Sequence, residues 1–258
     1  MPTENTKISL FIPCLVDQVY PEMGLAMVSV LRKLGYEVTY NKAQTCCGQP
    51  AFNAGFPDEA RKVARHFLNV FQNEEWVVCP SGSCTAMVRN YYPELFQDAV
   101  ENTVAKSLKN RVFEFSEFLS SQLEEIKLEG TFSGRVGFHN SCHSFRELRL
   151  KYEPLQLMQQ INGYELIMPD GEPVCCGFGG LFSFKYAPIA ATMAKSRLET
   201  FAELDIDTLV SNDPGCIMHL RQEAKERDFD LRILHLAEFL DMAICQNENS
   251  KFQIPNSK

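Results

Sequence analysis

Residues 44–50, QTCCGQP, place two adjacent cysteines before a glycine, and residues 174–180, VCCGFGG, repeat this unusual arrangement. The surrounding cysteines repeat as well, because one cysteine precedes each CCG and another follows it at similar spacing. The two sets are Cys14, Cys46, Cys47 and Cys84, and then Cys142, Cys175, Cys176 and Cys216. A pattern that recurs after about 130 residues indicates an internal duplication.

The residues between the cysteines repeat the same alternation of short apolar runs and helical patterns. KISLFIPC at 7–14 and RVGFHNSC at 135–142 predict strands that lead to the first cysteine of each set. Amphipathic helices are predicted at 57–72 and 187–204. The fold class is therefore α/β, with two pseudo-symmetric halves. We expect a first domain at 1–130 and a second at 131–258, with a polar tail from 246.

Strands that alternate with helices form parallel sheets, and the loops that follow the strands then meet at one edge of each sheet. The repeated cysteines come after predicted strands, so we expect them to converge at the C-terminal strand edge although they lie far apart in the sequence. Several of them also open helices, where the positive end of the helix dipole favours thiolates and other anions.

The bulk composition excludes several classes of function. The chain has 258 residues, 45% of them hydrophobic, so a globular core needs no disulfide or metal for burial. The net charge is −8 and no basic cluster is present, which argues against binding to nucleic acid or to anionic membranes. The sequence shows neither a signal-peptide pattern nor an apolar run of 18 residues, so we expect a cytoplasmic protein without a transmembrane segment.

Ten cysteines in a reducing compartment indicate metal or redox chemistry rather than disulfides. Zinc held by four thiolates is one interpretation, and reactive dithiols at the CC pairs are another. An iron–sulfur cluster is favoured, because adjacent cysteines diverge and can hold different irons of one larger body. Cys245, on the apolar face of the last helix, is interpreted as a buried hydrophobic residue, and Cys79 is a weaker ligand candidate.

The repeated motifs resemble the cysteine-rich CCG domains of the heterodisulfide reductases and of the iron–sulfur subunits of glycolate- and glycerol-3-phosphate-oxidising enzymes. The similarity is strongest to the lactate utilization protein A group, which includes the YkgE proteins, and it covers residues 7–244. It is carried by CLVD at 14–17, QTCCGQPAFNAG at 44–55, PSGSC at 80–84, SCH at 141–143 and CCGFGG at 175–180.

This resemblance implies iron–sulfur clusters bound by the eight repeated cysteines, and a role as an electron-transfer subunit in the oxidation of L-lactate or a similar 2-hydroxy acid to pyruvate. The implied partners are a ferredoxin-type iron–sulfur subunit and a third, small subunit. No flavin or nicotinamide motif is recognisable in the sequence. The alternatives left open are a structural or regulatory zinc module and a dithiol oxidoreductase.

The chain departs from the resembled reductases at one position in each repeat. Those reductases carry a CxxC where this chain has Ser81 and Asp213 three residues before the last cysteine of each set. The loss of the fifth cysteine favours an ordinary four-thiolate [4Fe–4S] cluster in each half, up to two in all. Ser81 and Asp213 stay as weaker candidates for oxygen ligands.

The histidines supply a few further candidates. His219 follows Cys216 by three residues and is a weaker metal-ligand candidate. If lactate binds to this chain, its hydroxyl needs a base and its carboxylate needs a cation. His143 and Arg146 are the weak candidates for these catalytic roles.

Overall fold

The computed structural model describes residues 6–96, 99–124 and 126–249, with side chains described as far as residue 244. Its backbone forms two four-stranded parallel sheets with helices around them, as the alternating sequence pattern predicts. The strand orders are β2-β1-β3-β4 in the first half and β6-β5-β7-β8 in the second. The two halves therefore share one topology, and the predicted α/β class is confirmed.

In the part of the first half that the structure describes, there are four short strands and eight α-helices. Its strands are β1 (Lys7–Leu10), β2 (Glu37–Tyr40), β3 (Val77–Cys79) and β4 (Val112–Glu114). Its helices are α1 (Cys14–Gln18), α2 (Pro21–Lys33), α3 (Gln49–Asn53), α4 (Pro57–Phe71), α5 (Gly82–Ala86), α6 (Tyr92–Leu95), α7 (Ala99–Lys109) and α8 (Phe115–Ser120). A π-helical turn at Met87–Tyr91 joins α5 to α6. The polar pattern at 97–110 predicts a helical insert before β4, and this segment contains α7; residues 97 and 98 lie outside the described residues.

The second half repeats this order with fewer helices. Its strands are β5 (Gly130–His139), β6 (Ile161–Ile167), β7 (Thr208–Ser211) and β8 (Arg232–His235). Its helices are α9 (Glu153–Met158), α10 (Leu181–Lys185), α11 (Ala187–Ala202), α12 (Pro214–Glu226) and α13 (Leu236–Asn249). A π-helical turn at His143–Glu147 follows Cys142. The polar tail expected from residue 246 begins inside α13, because the backbone stays helical as far as Asn249.

The register of the central strands is equivalent in the two sheets. Ser9 of β1 is paired with Val77 of β3, and Gly137 of β5 is paired with Leu209 of β7. Gly137 has no space for a side chain, because a Cβ atom there would lie 2.9 Å from Phe201 of α11. Helix α11 thus packs closely on the second sheet, and it also contacts the second CCG, where a Cβ atom at Gly177 would lie 2.7 Å from the carbonyl oxygen of Ala190.

One apolar core extends through both halves. It includes Val30 and Leu31 of α2 together with Phe239 and Leu240 of α13, all fully buried. A second core, built around Phe11, Phe67 and other buried side chains, fills the remaining face of the first sheet. Because the larger core is continuous, burial of apolar surface holds the two halves against each other.

Candidate metal centre

All eight repeated cysteines line a single cavity of about 450 Å³ between the two halves. Cys14 is the first residue of α1, and Cys142 comes directly before the π-helical turn that follows β5. Each CC pair lies in a loop that follows an edge strand, and Cys84 and Cys216 lie in the first turns of α5 and α12. Residues distant in sequence are therefore brought to one place.

The four cysteines of the first half form a closed set of contacts. Cys14 Sγ lies 3.6 Å from Cys46 Sγ, and Cys47 Sγ lies 3.4 Å from Cys84 Sγ. The thiols of Cys46 and Cys47 also interact with each other, which joins the two pairs. Cys14 is exposed, whereas Cys47 and Cys84 are buried. The set therefore extends from the solvent into the core of the first half.

The second half repeats this set with its own cysteines. Cys142 Sγ and Cys175 Sγ are 4.0 Å apart, and Cys176 Sγ and Cys216 Sγ are 3.0 Å apart. Cys176 and Cys216 are again buried, while the first pair is partly exposed. We call these two sets the first-half quartet and the second-half quartet.

The glycine of each CCG gives the loop a conformation that few other residues adopt. Gly48 has φ +83° and Gly177 has φ +88°, both in the left-handed region. In this conformation the N–H of Gly48 donates to Cys46 Sγ, and that of Gly177 donates to Cys175 Sγ, each at 3.4 Å. The recurring CCG sequence thus encodes a turn whose backbone donates a hydrogen bond to the first sulfur of the pair.

The thiols of each quartet divide into donors and acceptors of hydrogen bonds. The hydrogen bond from Cys14, followed by that from Cys47, lowers the pKa of Cys46 to about 3. The corresponding bond from Cys142 lowers the pKa of Cys175 to about 2. Hydrogen bonding to these thiolates in turn raises the pKa of Cys14 and Cys142. Each quartet therefore holds one thiolate stabilised by neighbouring thiols, and a bound cation would displace the remaining protons.

The donor set fits a metal centre that prefers sulfur. Each quartet supplies four thiols, and thiolates are the ligands of zinc and of iron–sulfur clusters. A ring nitrogen of His139 and the sulfurs of Cys176 and Cys216 also lie within 4.8 Å of one another. The clustering of these groups supports metal binding in each half, with Cys14, Cys46, Cys47 and Cys84 in one set and Cys142, Cys175, Cys176 and Cys216 in the other.

Ser81 and Asp213, the weaker candidates for oxygen ligands, contact each other across the junction of the halves. Ser81 Oγ donates to Asp213 Oδ2 at 3.2 Å, and the N–H of Ser83 donates to the same oxygen at 2.9 Å. Asp213 Oδ1 accepts from Gly215 N at 3.0 Å, while Ser81 Oγ accepts from Cys84 N at 3.3 Å. Both residues therefore cap the helices that carry the last cysteine of each quartet.

The remaining weaker candidates lie in different surroundings. Cys79 is fully buried at the end of β3, with its sulfur 3.7 Å from the carbonyl oxygen of Ser81. The Nε2 atom of His219 is 3.1 Å from the carbonyl oxygen of Ala190, and the residue lines a neighbouring cavity. The structure brings neither residue to the cavity that the eight cysteines line. The Cys245 side chain lies outside the described part of the chain.

Of the two catalytic candidates, only His143 lines the cysteine cavity. Its Nδ1 is 3.7 Å from Cys142 Sγ, and its Nε2 is 3.4 Å from Gln49 Nε2 and 3.6 Å from Glu147 Oε1. Arg146 lies in the same π-helical turn but does not border the cavity. Within the described residues, the lining of this cavity includes no lysine or arginine.

Two residues beside the second-half quartet, His139 and Arg197, were not predicted from the sequence as part of the site. Both are buried, and Arg197 Nε donates to His139 Nδ1 at 3.2 Å. Burial, followed by the charge of Arg197, lowers the pKa of His139 to about 3, so its ring is neutral. An alignment of the two halves could have found the pair, because both positions carry phenylalanine in the first half.

Comparison with known proteins agrees with this duplicated sulfur site. The Cysteine-rich domain family, named CCG, matches residues 8–89 and 136–221. The chain belongs to this family.

Known relatives match both halves together. The chain is 37% identical to "Lactate utilization protein A" of Bacillus subtilis (strain 168), over 91% of this chain and 99% of the relative. It is 38% identical to the protein of the same name from Oceanobacillus iheyensis, over 91% and 96% of the two chains. A solved glutamate racemase from Francisella tularensis is 15% identical with a TM-score of 0.38, covering 99% of this chain and 86% of that one, which carries no functional argument.

The helices also bear on membrane insertion. Among the described residues, no helix combines the length and the apolar composition that a membrane span requires.

Proposed function

We propose that the protein is an iron–sulfur electron-transfer subunit that contributes to the oxidation of L-lactate, or of a similar 2-hydroxy acid, to pyruvate. The cluster in each half is a [4Fe–4S] cluster bound by that half's quartet. The observation that carries this proposal is the convergence of all eight repeated cysteines on one cavity. When bound, such clusters supply one-electron transfer at potentials set by the surrounding hydrogen bonds and charges.

The chain's own residues have three roles in this proposal. The cysteines bind the irons, and the N–H groups of Gly48 and Gly177 donate to sulfur and stabilise its negative charge. Because both quartets border the same cavity, the two redox sites lie near each other, on either side of the junction between the halves. This arrangement supports electron transfer between the halves.

The cavity itself supports electron transfer better than binding of a hydroxy acid. A carboxylate substrate is commonly held by arginine, and the described lining offers no such cation. His143 is the one histidine that borders the described cavity, and it has no cationic partner there. We therefore assign substrate oxidation to partner subunits. We propose that these partners are a ferredoxin-type iron–sulfur protein and a small third subunit. The complex is proposed to be cytoplasmic. The isolated chain would then be an oxidoreductase subunit that has no lactate dehydrogenase activity alone.

Zinc is the second candidate, and one specific observation favours it. Zinc–thiolate bonds of about 2.3 Å place the sulfurs of a tetrahedral site about 3.8 Å apart. Three of the sulfur–sulfur distances, at 3.4–4.0 Å, are close to this value, and the Cys176–Cys216 distance of 3.0 Å is shorter. Against zinc stands the open cavity beside both quartets, because structural zinc sites are closed and need no adjoining space.

The test is a metal and sulfide analysis of protein purified without oxygen, together with an electron paramagnetic resonance spectrum of the reduced sample. About eight irons and eight sulfides per chain are expected for two [4Fe–4S] clusters. About one or two zinc ions without sulfide would refute the electron-transfer proposal and establish the zinc site. Reduction of disulfides by metal-free protein, abolished by alkylation, would instead establish a dithiol oxidoreductase. Lactate turnover with an artificial electron acceptor by the isolated chain would contradict the assignment to partner subunits.

A further inference from the structure

The two quartets have different neighbours at equivalent positions of the repeat. Phe11 lies three residues before Cys14, and His139 lies three residues before Cys142. Phe67 of α4 corresponds to Arg197 of α11, because in both helices buried alanines lie three and seven positions earlier. An aromatic pair in the first half is thus replaced by a histidine–arginine pair in the second.

In the first half this pair is entirely apolar. The rings of Phe11 and Phe67 meet edge to face with centroids 4.8 Å apart, and both are buried. They belong to the same core as Cys47 and Cys84. The surroundings of the first-half quartet therefore receive neither a charge nor a hydrogen-bond donor from these two positions.

In the second half the pair places a neutral histidine ring beside the sulfurs. Arginine only donates hydrogen bonds, so His139 Nδ1 accepts the bond from Arg197 Nε, and the proton of the neutral ring is on Nε2. The Nε2 atom is buried and has no hydrogen-bond partner in the described chain. A ring nitrogen of His139 lies within 4.8 Å of Cys176 Sγ and Cys216 Sγ. The ring of His139 thus lies beside two sulfurs and carries a buried N–H without a partner, so it is suited to an acceptor at that site.

Arg197 adds a buried positive charge beside the second-half quartet. Only 4% of its surface is exposed, and in the described part of the chain no carboxylate forms an ion pair with it. Its guanidinium lies 4.3 Å from the ring centroid of Phe201, an attractive but weak contact. A buried cation without an acidic partner is costly unless another negative group is near. The sulfur of Cys176 is the group of the second-half quartet that interacts with this charge, and as a metal-bound thiolate it would supply the negative partner.

We propose that His139 and Arg197 raise the reduction potential of the second-half site above that of the first-half site, so that an added electron resides in the second half. His139 donates its Nε2 proton to sulfur in a hydrogen bond without transferring it, and Arg197 is a positioning residue that fixes the tautomer. The inference rests on the proposed function. Hydrogen bonds to sulfur and nearby positive charge both favour the reduced state of such a centre.

The carboxylate of Asp213 is the negative group to be weighed against this pair. Its charge acts on Cys142 and Cys216 of the second-half quartet, so it opposes the effect of His139 and Arg197 there. Hydrogen bonds from Ser81, Ser83 and Gly215 offset part of that charge. A variant that changes only His139 and Arg197 leaves Asp213 in place and therefore isolates their contribution.

The test is a redox titration of the full chain, purified or reconstituted without oxygen and followed by electron paramagnetic resonance. The double variant His139→Phe/Arg197→Phe gives the second half the aromatic pair of the first. We expect full iron content and a lower potential for one site only. A tenfold change in its one-electron equilibrium constant corresponds to about 59 mV. His139→Gln keeps both an acceptor for Arg197 and an N–H donor, so its potentials should match those of the unmodified protein. Phe11→Leu is the matched control and should move neither potential.

The outcomes separate this inference from the function on which it rests. Unmodified protein without iron and sulfide would refute the proposed function. Unmodified protein with full clusters, combined with unchanged potentials in the double variant, would overturn this inference alone. If the double variant loses half of its iron, His139→Leu provides the same test, and unchanged potentials in that variant would overturn the inference.

Discussion

The two halves are alike where they surround sulfur and different where they meet each other. Both use the same sheet order and the same CCG turn with a left-handed glycine. At the junction, however, Ser81 of the first half is bonded to Asp213 of the second. The features that the duplication preserved are those that bring four thiols together, and the features that diverged distinguish one quartet from the other. The following experiments test how far this distinction extends.

The largest expected effect is the loss of one centre when one quartet loses a sulfur. Cys47→Ala should remove the first-half centre and Cys176→Ala the second, because each buried thiol belongs to a separate closed set. Iron analysis of anaerobic samples should give about half of the unmodified content in each variant. If either substitution alone removed all of the iron, the eight cysteines would form one shared centre instead of two.

Alanine at the two CCG glycines should have unequal effects. A non-glycine residue in the left-handed region costs about 1–2 kcal/mol, and this cost applies to both positions. At Gly177 a Cβ atom would also lie 2.7 Å from the carbonyl oxygen of Ala190, whereas at Gly48 the nearest atom is at 3.3 Å. Gly177→Ala should therefore lower the melting temperature and the iron content more than Gly48→Ala. Equal effects would show that α11 can move away from the loop.

The elements that carry the quartets could be predicted from the sequence because their signals are local. The CCG turns, the strands that precede them and helices α4 and α11 can all be recognised from residue order and periodicity. In contrast, EPLQLMQQING at 153–163 predicts a helix that ends at the glycine, but the helix ends at Met158, because Ile161 already belongs to β6. The helix is short because β6 pairs with β5 from the Gly130–Ile161 pair onward, and this pairing overrides the helical pattern.

The junction between the halves could not be predicted in the same way. The bond between Ser81 and Asp213 joins residues 132 positions apart, and nothing in either local sequence indicates it. From the sequence, both residues were candidate metal ligands, since they replace a cysteine of the resembled reductases. In the structure, Asp213 uses both of its oxygens in hydrogen bonds. We therefore propose a structural role for this pair.

That role leads to a smaller, unequal effect on stability. Asp213→Ala removes a helix cap and hydrogen bonds to a charged group, which together cost about 2–4 kcal/mol. Ser81→Ala removes one cap and leaves Asp213 bonded to Ser83, so we expect a cost of about 1–2 kcal/mol. Urea unfolding of the metal-free protein measures both. A larger loss from Ser81→Ala would contradict the assignment of Asp213 as the main connection.

The equivalent residues that end β4 and β8, Glu114 and His235, have effects on stability that depend on pH. Burial raises the pKa of Glu114 to about 8 and lowers that of His235 to about 4. Folded Glu114 thus keeps a proton that the unfolded chain loses above about pH 4.5, so its contribution to stability falls as the pH rises from there to about 8. Below about pH 6.5 the unfolded chain binds a proton at His235 that the folded state does not bind. The contribution of His235 to stability is therefore lost as the pH falls from 6.5 towards 4.

The two residues should therefore give pH dependences of opposite sign. As the pH rises from 4.5 to 8, the free energy of unfolding of Glu114→Gln should increase relative to that of the unmodified protein by about 1.4 kcal/mol per pH unit. The reason is that glutamine has no proton to lose when the chain unfolds. His235→Gln should gain stability by a similar slope as the pH falls from 6.5 to 4, although it starts lower because His235 Nε2 is bonded to the carbonyl oxygen of Pro80 in the first half. Denaturant unfolding of metal-free protein across this range measures the differences. Parallel curves for all three proteins would mean that water reaches both side chains, and that the two equivalent positions are less distinct than their burial indicates.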